Sequence, residues 1–180
     1  MLNLRLVDRL ITCPTGVEQL LKTPAIKRLL ALAGRPQGPP ALVSLALECL
    51  GSLSFHRQAK EQIQEQGGVL SVADRLYDQC PHVLTSSTKA LASLAQLIPA
   101  KHALIDNNHF PRILTLLQHE DQQIQLNVVQ LLTSLAEHPL GRQICIKQCL
   151  EDLKAKLGSE PSCFLNEYIE QAIEVITWVP

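Results

Sequence analysis

The leucine-rich pentad LGSLS at 50–54 returns as LASLA at 91–95 and as LTSLA at 132–136. Leu53, Leu94 and Leu135 are each 41 residues apart, and one further step of 41 reaches Ile176. A period of about 40–47 residues carried by helices is typical of helical repeat arrays, in which each repeat packs against its neighbours. One repeat cannot bury its apolar face alone, so the same leucines recur. We therefore predict an all-α fold in which small residues between the leucines let neighbouring helices pack closely.

Helix-breaking residues divide one period into three helices. The helices predicted for residues 55–97 span about 57–66, 69–79 and 82–97. The pair Gly67-Gly68 separates the first two, because glycine adopts positive φ angles and ends helices. In the next period Asn107-Asn108 stands in the same place. Asparagine is the next-best residue for a left-handed turn, so we predict the same break there.

Capping residues and prolines mark the predicted helix starts. Thr23 before Pro24, and Asp121 before QQIQLNVV, are predicted as N-caps, because their side-chain oxygens can accept from unpaired backbone N–H groups. Proline is tolerated in a first helical turn, where its missing N–H would be unpaired in any case. The prolines predicted at helix starts are Pro24, Pro40, Pro99, Pro111, Pro139 and Pro161.

Two stretches carry a resemblance to a known family. QIQEQGGVLSVADRL (62–76) and ALECLGSLS (46–54) resemble the armadillo repeat, with a short helix, a glycine break, a second helix and a third of the form Ala-x-x-x-Leu-x-x-Leu. HEAT repeats have two helices and lack this break. The resemblance covers the whole chain and implies a right-handed α-solenoid of three-helix repeats.

The period also predicts the organisation of the chain. We predict that residues 1–180 form a single solenoid, in which 1–12 align with the last helix of a preceding repeat. The predicted repeats span about 13–54, 55–97, 98–137 and 138–179. Terminal repeats usually turn a polar face outward, yet the final helix carries Phe164, Tyr168 and Trp178. We expect a piece of a longer protein, or an end covered by a partner or a second copy. A native short protein with imperfect caps stays an alternative.

Composition argues against two classes of partner. The net charge is −1, the pI is about 6.6 and aromatic residues make up 3% of the chain. A dedicated nucleic-acid binder usually has a basic excess on one face, and an aromatic platform for stacking bases needs more rings. No apolar run approaches the roughly 18–20 residues that span a bilayer, and no polybasic anchor is present. We predict neither a nucleic-acid nor a membrane partner.

Cysteine usage bears on the compartment. The six cysteines lie mostly inside apolar helical patterns, and the first residues, MLNLRLVDRL, carry charges that a secretory signal lacks. Six cysteines would suffice for three disulfides in a secreted protein. Reduced, buried thiols fit the pattern better, so we predict a cytoplasmic protein, with the nucleus as an open alternative.

No combination of residues predicts an active site. The common nucleophile, phosphate-binding and zinc-protease motifs are missing from the sequence. Cys145 and Cys149 lie four apart on a predicted helix and Cys163 follows, but no CxxC pair or His-x3-His completes a zinc site. His102 and His109 lie near predicted helix ends, where solvated or capping roles are usual. We predict no catalytic residue, no metal site and no cofactor.

The resemblance implies where a partner would bind. In armadillo proteins the third helices line a concave groove for extended peptides, and import adaptors carry Trp and Asn there in the pattern Ala-x-Trp-x-Leu-x-Asn-Leu. Here the tryptophan places are Arg5, Glu48, Lys89, Gln130 and Gln171. The asparagine places are Arg9, Ser52, Ser93, Ser134 and Val175. None is Trp or Asn, so capture of nuclear localisation signals is rejected. The polar members of both sets are the candidate partner-binding residues.

The charges on the predicted polar inner face have a polarity, which Asp8 and Glu48 weaken. The charges run from basic at Arg5 and Arg9 to acidic at Glu167, Glu170 and Glu174. A partner segment with its own charge polarity would be recognised by electrostatic complementarity. The alternative is that these are ordinary solvent-facing positions, whose charges contribute little to stability.

These observations favour a protein-interaction function. The leading hypothesis is a non-enzymatic scaffold that holds a peptide or a helix of another protein in its groove. The alternative is an assembly domain, in which the uncapped ends or the apolar last helix form a homodimer or dock onto other domains of a longer chain, such as a kinase or ciliary scaffold. An enzyme would need a cluster of titratable residues that the sequence lacks.

Overall fold

The computed structural model describes residues 4–159 and 163–178. This part of the chain forms thirteen α-helices and a single 3-10 turn, and it contains no strand. The helices are α1 Leu4–Ile11, α2 Pro14–Leu21, α3 Ala25–Ala33, α4 Pro40–Leu53, α5 Arg57–Glu65, α6 Gly68–Ala73, α7 Pro81–Leu94, α8 Ile98–Asp106, α9 Phe110–Leu116, α10 Gln122–Ala136, α11 Pro139–Gln148, α12 Leu150–Ser159 and α13 Cys163–Thr177.

Five helices, which we call the inner helices, form the spine of the molecule. They are α1, α4, α7, α10 and α13, and they pack side by side in that order. The recurring leucines of the pentads are fully buried between them, at Leu50, Leu53, Leu91, Leu94, Leu132 and Leu135. Gly51 faces Ala90 across the α4–α7 contact, where an added β-carbon would lie 3.5 Å from Ala90 Cα. Small residues thus allow the close packing that the pentads predict.

The break between the first and second helices keeps the 41-residue register. Gly67 has φ 71° and Asn108 has φ 58°, so both adopt the left-handed conformation. Among the described residues other than glycine, Asn108 is the one with a positive φ. The predicted left-handed turn is therefore confirmed at both positions. The second helix of this period is shorter than predicted, because α6 ends at Ala73 and continues as a 3-10 turn over Asp74–Tyr77.

One of the two predicted N-caps is correct. The Asp121 carboxylate accepts from the backbone N–H groups of Gln123 at 2.7 Å and Ile124 at 3.3 Å, and so caps α10. The prediction for Thr23 is wrong: its hydroxyl donates to the carbonyl of Leu20 at 2.8 Å. Thr23 therefore caps the end of α2, since the N-cap position of α3 is occupied by Pro24.

The predicted prolines mark helix starts in the described chain. Four of them lie in the first turn of a helix, namely Pro40, Pro99, Pro111 and Pro139. Pro24 directly precedes α3. Pro161 lies outside the described residues.

The apolar residues of the last inner helix, together with Trp178 just after it, divide into two groups. Ile169 and Ile176 are fully buried against the core, whereas Phe164 and Trp178 are more than half exposed. At the other end Leu6 of α1 is also exposed. We propose that the helices group into repeats at the boundaries that the period predicts, with α1 as the last helix of a preceding repeat.

Candidate functional site

Three neighbouring inner helices line an open depression of about 670 Å³. We call it the groove. Its walls come from α7, α10 and α13, with Phe55 from the turn after α4. The lining residues are Phe55, Lys89, Ala92, Ser93, Gln96, Gln123, Leu126, Asn127, Gln130, Thr133, Ser134, Glu137, Phe164, Tyr168 and Gln171. Five candidate residues from the sequence lie among them: Lys89, Ser93, Gln130, Ser134 and Gln171.

The other candidate residues do not line this groove. Arg5 and Arg9 border a separate shallow depression on α1. Glu48 lies in a second depression, between α4 and the start of α7. Ser52 is half-buried on α4. The structure therefore brings the candidates of the last three inner helices into one cavity and keeps those of the first two apart from it.

The floor of the groove contains an unsatisfied hydroxyl. Ser93 is only 6% exposed, and its Oγ has no hydrogen-bond partner among the described residues. Lys89 and Ser93 are four residues apart and share one face of α7, and Gln96 follows in the turn just after this helix. A buried polar group without a partner costs roughly 1–3 kcal/mol. A bound polar group that reached Ser93 Oγ would remove this penalty.

A buried amide holds the walls of the groove together. Asn127 is 2% exposed, and its Nδ2 donates to Thr85 O and to Thr88 Oγ1, each at 3.1 Å. Its Oδ1 accepts from Gln123 Nε2 at 3.0 Å. The side chain thereby links α10 to α7. This residue is not among the site residues predicted from the sequence, because the family pattern names Ser134, seven residues further along the helix.

Glu48 is oriented by two serine hydroxyls. Ser44 donates to Glu48 Oε1 at 3.2 Å and Ser86 donates to the same oxygen at 3.3 Å. The two hydroxyl oxygens are themselves 3.0 Å apart. Since Ser86 belongs to α7, this network joins α4 to α7 as Asn127 joins α7 to α10. No motif in the sequence indicates it.

Exposed aromatic rings border the groove, and they are not among the site residues predicted from the sequence. Phe55 is 70% exposed and Phe164 is 57% exposed. The ring of Phe164 stands edge-on to that of Tyr168, with centroids 5.1 Å apart. Phe55 immediately follows the LGSLS pentad, so its position two residues past the end of an inner helix was the available signal.

The helices α5, α8 and α11 each carry a basic residue, and each of these contacts a residue just after the end of an inner helix. Lys60 of α5 donates to Gln96, and Lys101 of α8 forms an ion pair with Glu137. Arg142 of α11 lies over the ring of Trp178, 5.3 Å from its centroid. The three contacted residues are Gln96, Glu137 and Trp178, which are spaced 41 apart. We call these contacts the basic rungs.

The described cysteines have structural surroundings. Cys145 and Cys149 are buried, and Cys149 Sγ donates to the Cys145 carbonyl at 3.4 Å. The hydrogen bond with Cys149 and burial together raise the pKa of the Cys145 thiol. Burial, followed by the charges of Asp8 and Glu48, raises the pKa of Cys49 to about 12. Such thiols are poor nucleophiles at neutral pH, because the thiolate is the reactive form.

Two features of the described chain bear on cofactors and membranes. Across 4–159 and 163–178, His, Cys, Asp and Glu side chains form no cluster of three or more suited to a metal ion. None of the helices in these ranges has the length and apolar character needed to cross a membrane.

Comparison with known proteins identifies the fold. Neither a protein-family model nor a curated protein sequence matches the chain. Among solved structures, an engineered protein from a structural genomics consortium has a TM-score of 0.86 at 19% identity, over 97% of this chain and 73% of that chain. A designed armadillo repeat protein in complex with the peptide (KR)4 has a TM-score of 0.85 at 17% identity, over 96% and 73%.

A third structure agrees with these two. It is a computationally designed armadillo repeat protein for modular peptide recognition, with a TM-score of 0.83 at 16% identity, over 96% of this chain and 73% of that chain. Identities this low bear on the fold alone. The predicted fold class is confirmed: the chain is an all-α solenoid of the armadillo-like repeat type.

Proposed function

We propose that the protein is a non-enzymatic interaction module that binds an extended peptide segment of another protein along the groove. The observation that carries this proposal is the unsatisfied Ser93 hydroxyl on the floor of a cavity that spans three inner helices. A cavity with a buried, unpartnered donor has a polar ligand as its natural complement.

The dimensions and chemistry of the groove fit an extended backbone. Packed helices are about 8–10 Å apart, and an extended chain advances about 3.3 Å per residue, so each inner helix corresponds to about two or three peptide residues. Gln130 and Gln171 stand one period apart along the groove. An amide side chain can donate to a peptide carbonyl and accept from a peptide N–H, which suits main-chain recognition. The exposed rings of Phe55 and Phe164 offer apolar contacts at the border.

The similar structures support a peptide as the ligand class. One designed armadillo protein is in complex with (KR)4, and another was designed for modular peptide recognition. The groove of this chain carries Lys89, and its acidic Glu137 is already paired with Lys101. We therefore expect peptides of a different composition from (KR)4.

The groove is tested by filling it. Ser134 is half-buried on the groove lining, so Ser134→Trp should occupy the space of a bound peptide. Peptides selected from a random displayed library on the wild-type protein should lose at least about tenfold in affinity for this variant, as measured by fluorescence anisotropy. The matched control is Gln143→Trp, an exposed position on α11 outside the groove lining, where affinity should stay within about twofold.

Two results would contradict the groove as the binding surface. One is unchanged peptide affinity in Ser134→Trp, and the other is an equal loss in both tryptophan variants. Circular dichroism must first establish that both variants remain as helical as the wild type.

Self-assembly is the second candidate function. Four of the eight exposed large hydrophobic side chains in the described chain belong to its last part, namely Leu140, Ile146, Phe164 and Trp178. A homodimer through this part would bury them. Light scattering would then give a mass that rises from monomer to dimer with concentration, and Leu140→Ser with Ile146→Ser would abolish the rise. A constant monomer mass would contradict it. Docking onto another domain of a longer chain is the related proposal.

The compartment, the classes of partner and the cofactor are proposed here on the basis of the sequence. We propose a cytoplasmic protein with no nucleic-acid or membrane partner and no cofactor. Five cysteines are free thiols, which supports a reducing compartment; they are Cys13, Cys49, Cys80, Cys145 and Cys149.

A further inference from the structure

Two of the basic rungs, those of Lys60 and Lys101, differ in the charge of the residue that the lysine contacts. Lys101 and Lys60 occupy equivalent places 41 residues apart, and both are nearly buried. Lys101 is paired with the carboxylate of Glu137, which serves as its counterion. The equivalent partner of Lys60 is the neutral amide of Gln96. The Lys60 rung thus lacks the negative charge that the Lys101 rung has.

Lys60 is consequently a buried cation without a counterion. It is 8% exposed, and no carboxylate of the described chain lies within ion-pair distance of its Nζ. Burial lowers the pKa of Lys60. Taking a charge out of water is costly unless an opposite charge and hydrogen bonds compensate. Gln96 compensates only in part, because an amide oxygen carries a partial charge.

Three donors line the groove at the C-terminal part of α7 and in the turn after it, and one of them, Gln96, contacts Lys60. Gln96 Oε1 accepts from Lys60, which leaves the Gln96 amide nitrogen as a donor. Ser93 Oγ has no partner in the described chain. Lys89 is exposed and makes no ion pair with a described residue. All three side chains line the groove: Lys89 and Ser93 share one face of α7, and Gln96 lies in the turn just after it.

This arrangement matches the needs of a carboxylate. An anionic oxygen accepts several hydrogen bonds and gains most from donors that are themselves charged. Lys89 supplies a charged donor, Ser93 and Gln96 supply neutral ones, and Lys60 adds positive charge next to Gln96. One inner helix further on, the Glu137 carboxylate already neutralises Lys101. The groove therefore has an unneutralised cationic position on α7 and none of that kind on α10.

We propose that Lys89, Ser93 and Gln96, backed by Lys60, form a subsite for the carboxylate of an aspartate or glutamate side chain in the bound peptide. The proposal rests on the proposed peptide-binding function and specifies its ligand: the partner segment carries an acidic residue where it crosses α7.

The test is a random displayed peptide library selected in parallel on three proteins. The wild type should enrich Asp or Glu at one position of the selected peptides. Gln96→Glu gives Lys60 an internal counterion like that of Lys101, and it should remove this enrichment. Glu137→Gln is the reciprocal change on the next rung, and it should add a second acidic position two or three residues away. Each change is isosteric, so the core packing is retained.

A selected peptide then provides the quantitative arm. Its acidic residue is replaced by glutamine, and the affinity of both peptides is measured by isothermal titration. A charge-assisted contact predicts a loss of roughly tenfold or more on wild type. The loss should shrink to about twofold or less on Gln96→Glu. If a phosphoserine at the same position binds at least tenfold more tightly than the carboxylate, phosphate is the ligand and the carboxylate assignment is overturned.

The outcomes separate this proposal from the proposed function. Peptides that bind wild type and are lost on Ser134→Trp, yet show no acidic preference, would overturn the subsite and support the groove. A library that yields no binder at all would overturn both. An acidic preference that is the same on wild type and Gln96→Glu would overturn the role of the Lys60 rung.

Discussion

Replacing Gly141 by alanine is expected to lower the free energy of unfolding by about 2 kcal/mol or more, because it forces a backbone shift in a packed site. Gly141 lies in the first turn of α11, against the end of α10. An added β-carbon would lie 2.1 Å from the carbonyl oxygen of Leu135. That oxygen belongs to the backbone, so no side-chain rotation relieves the contact. Gly16 stands in the same relation to Leu10, at 2.2 Å.

Helix propensity by itself predicts the opposite result, namely a gain in stability on Gly141→Ala. Alanine is the better helix former by about 1 kcal/mol, and Ala100 stands at the equivalent position one period earlier. The matched control is Gly51→Ala, whose added β-carbon would meet Ala90 at an ordinary 3.5 Å. We expect this control to be neutral or to stabilise by up to about 1 kcal/mol. Chemical denaturation followed by circular dichroism gives both values, and equal midpoints for the two variants would contradict the close approach at Gly141.

Replacing Asn127 by aspartate is the second change with a large expected effect, a loss of about 3 kcal/mol or more at neutral pH. The side chains have the same shape, so no cavity forms. The nitrogen that donates to Thr85 O and Thr88 Oγ1 becomes an acceptor. A buried carboxylate oxygen would then face the Thr85 carbonyl without a proton between them.

The matched control for this change is Gln130→Glu, on the same helix at a half-exposed position. Its free energy of unfolding should stay within about 0.5 kcal/mol of wild type, as is usual for surface substitutions. Denaturation of both variants across pH gives a further check. The deficit of Asn127→Asp should shrink as pH falls, because protonation restores a donor towards Thr85. A deficit that is small at neutral pH, or that does not change with pH, would contradict the proposed role of Asn127.

Much of the fold follows from local patterns. The pentads place apolar residues at helical spacing, and repetition at 41 residues requires helices that bury the same face again and again. The left-handed residues Gly67 and Asn108 were predictable for the same reason, since φ preference belongs to the single residue. Asp121 was predictable as a cap because its partners are two and three residues away.

The candidate site was predictable only in part. The family pattern names positions on the inner helices, and helical geometry puts Lys89, Gln130 and Gln171 on equivalent faces. It does not say that Glu48 lies outside the groove, because that depends on how α4 and α7 pack against each other. The family pattern also does not name Phe164, because the exposure of this ring depends on which parts of the folded chain pack against it.

What the sequence by itself determined is therefore the repeat, the helices and the leucines of the core, because each depends on neighbours within a few residues along the chain. The tertiary structure decided the rest. In the folded chain Thr23 caps the preceding helix, and Asn127 has its partners on α7. Gly141 lies against the Leu135 carbonyl. Lys60 faces an amide where Lys101 faces a carboxylate. These contacts depend on the distances between packed helices, which no local pattern encodes.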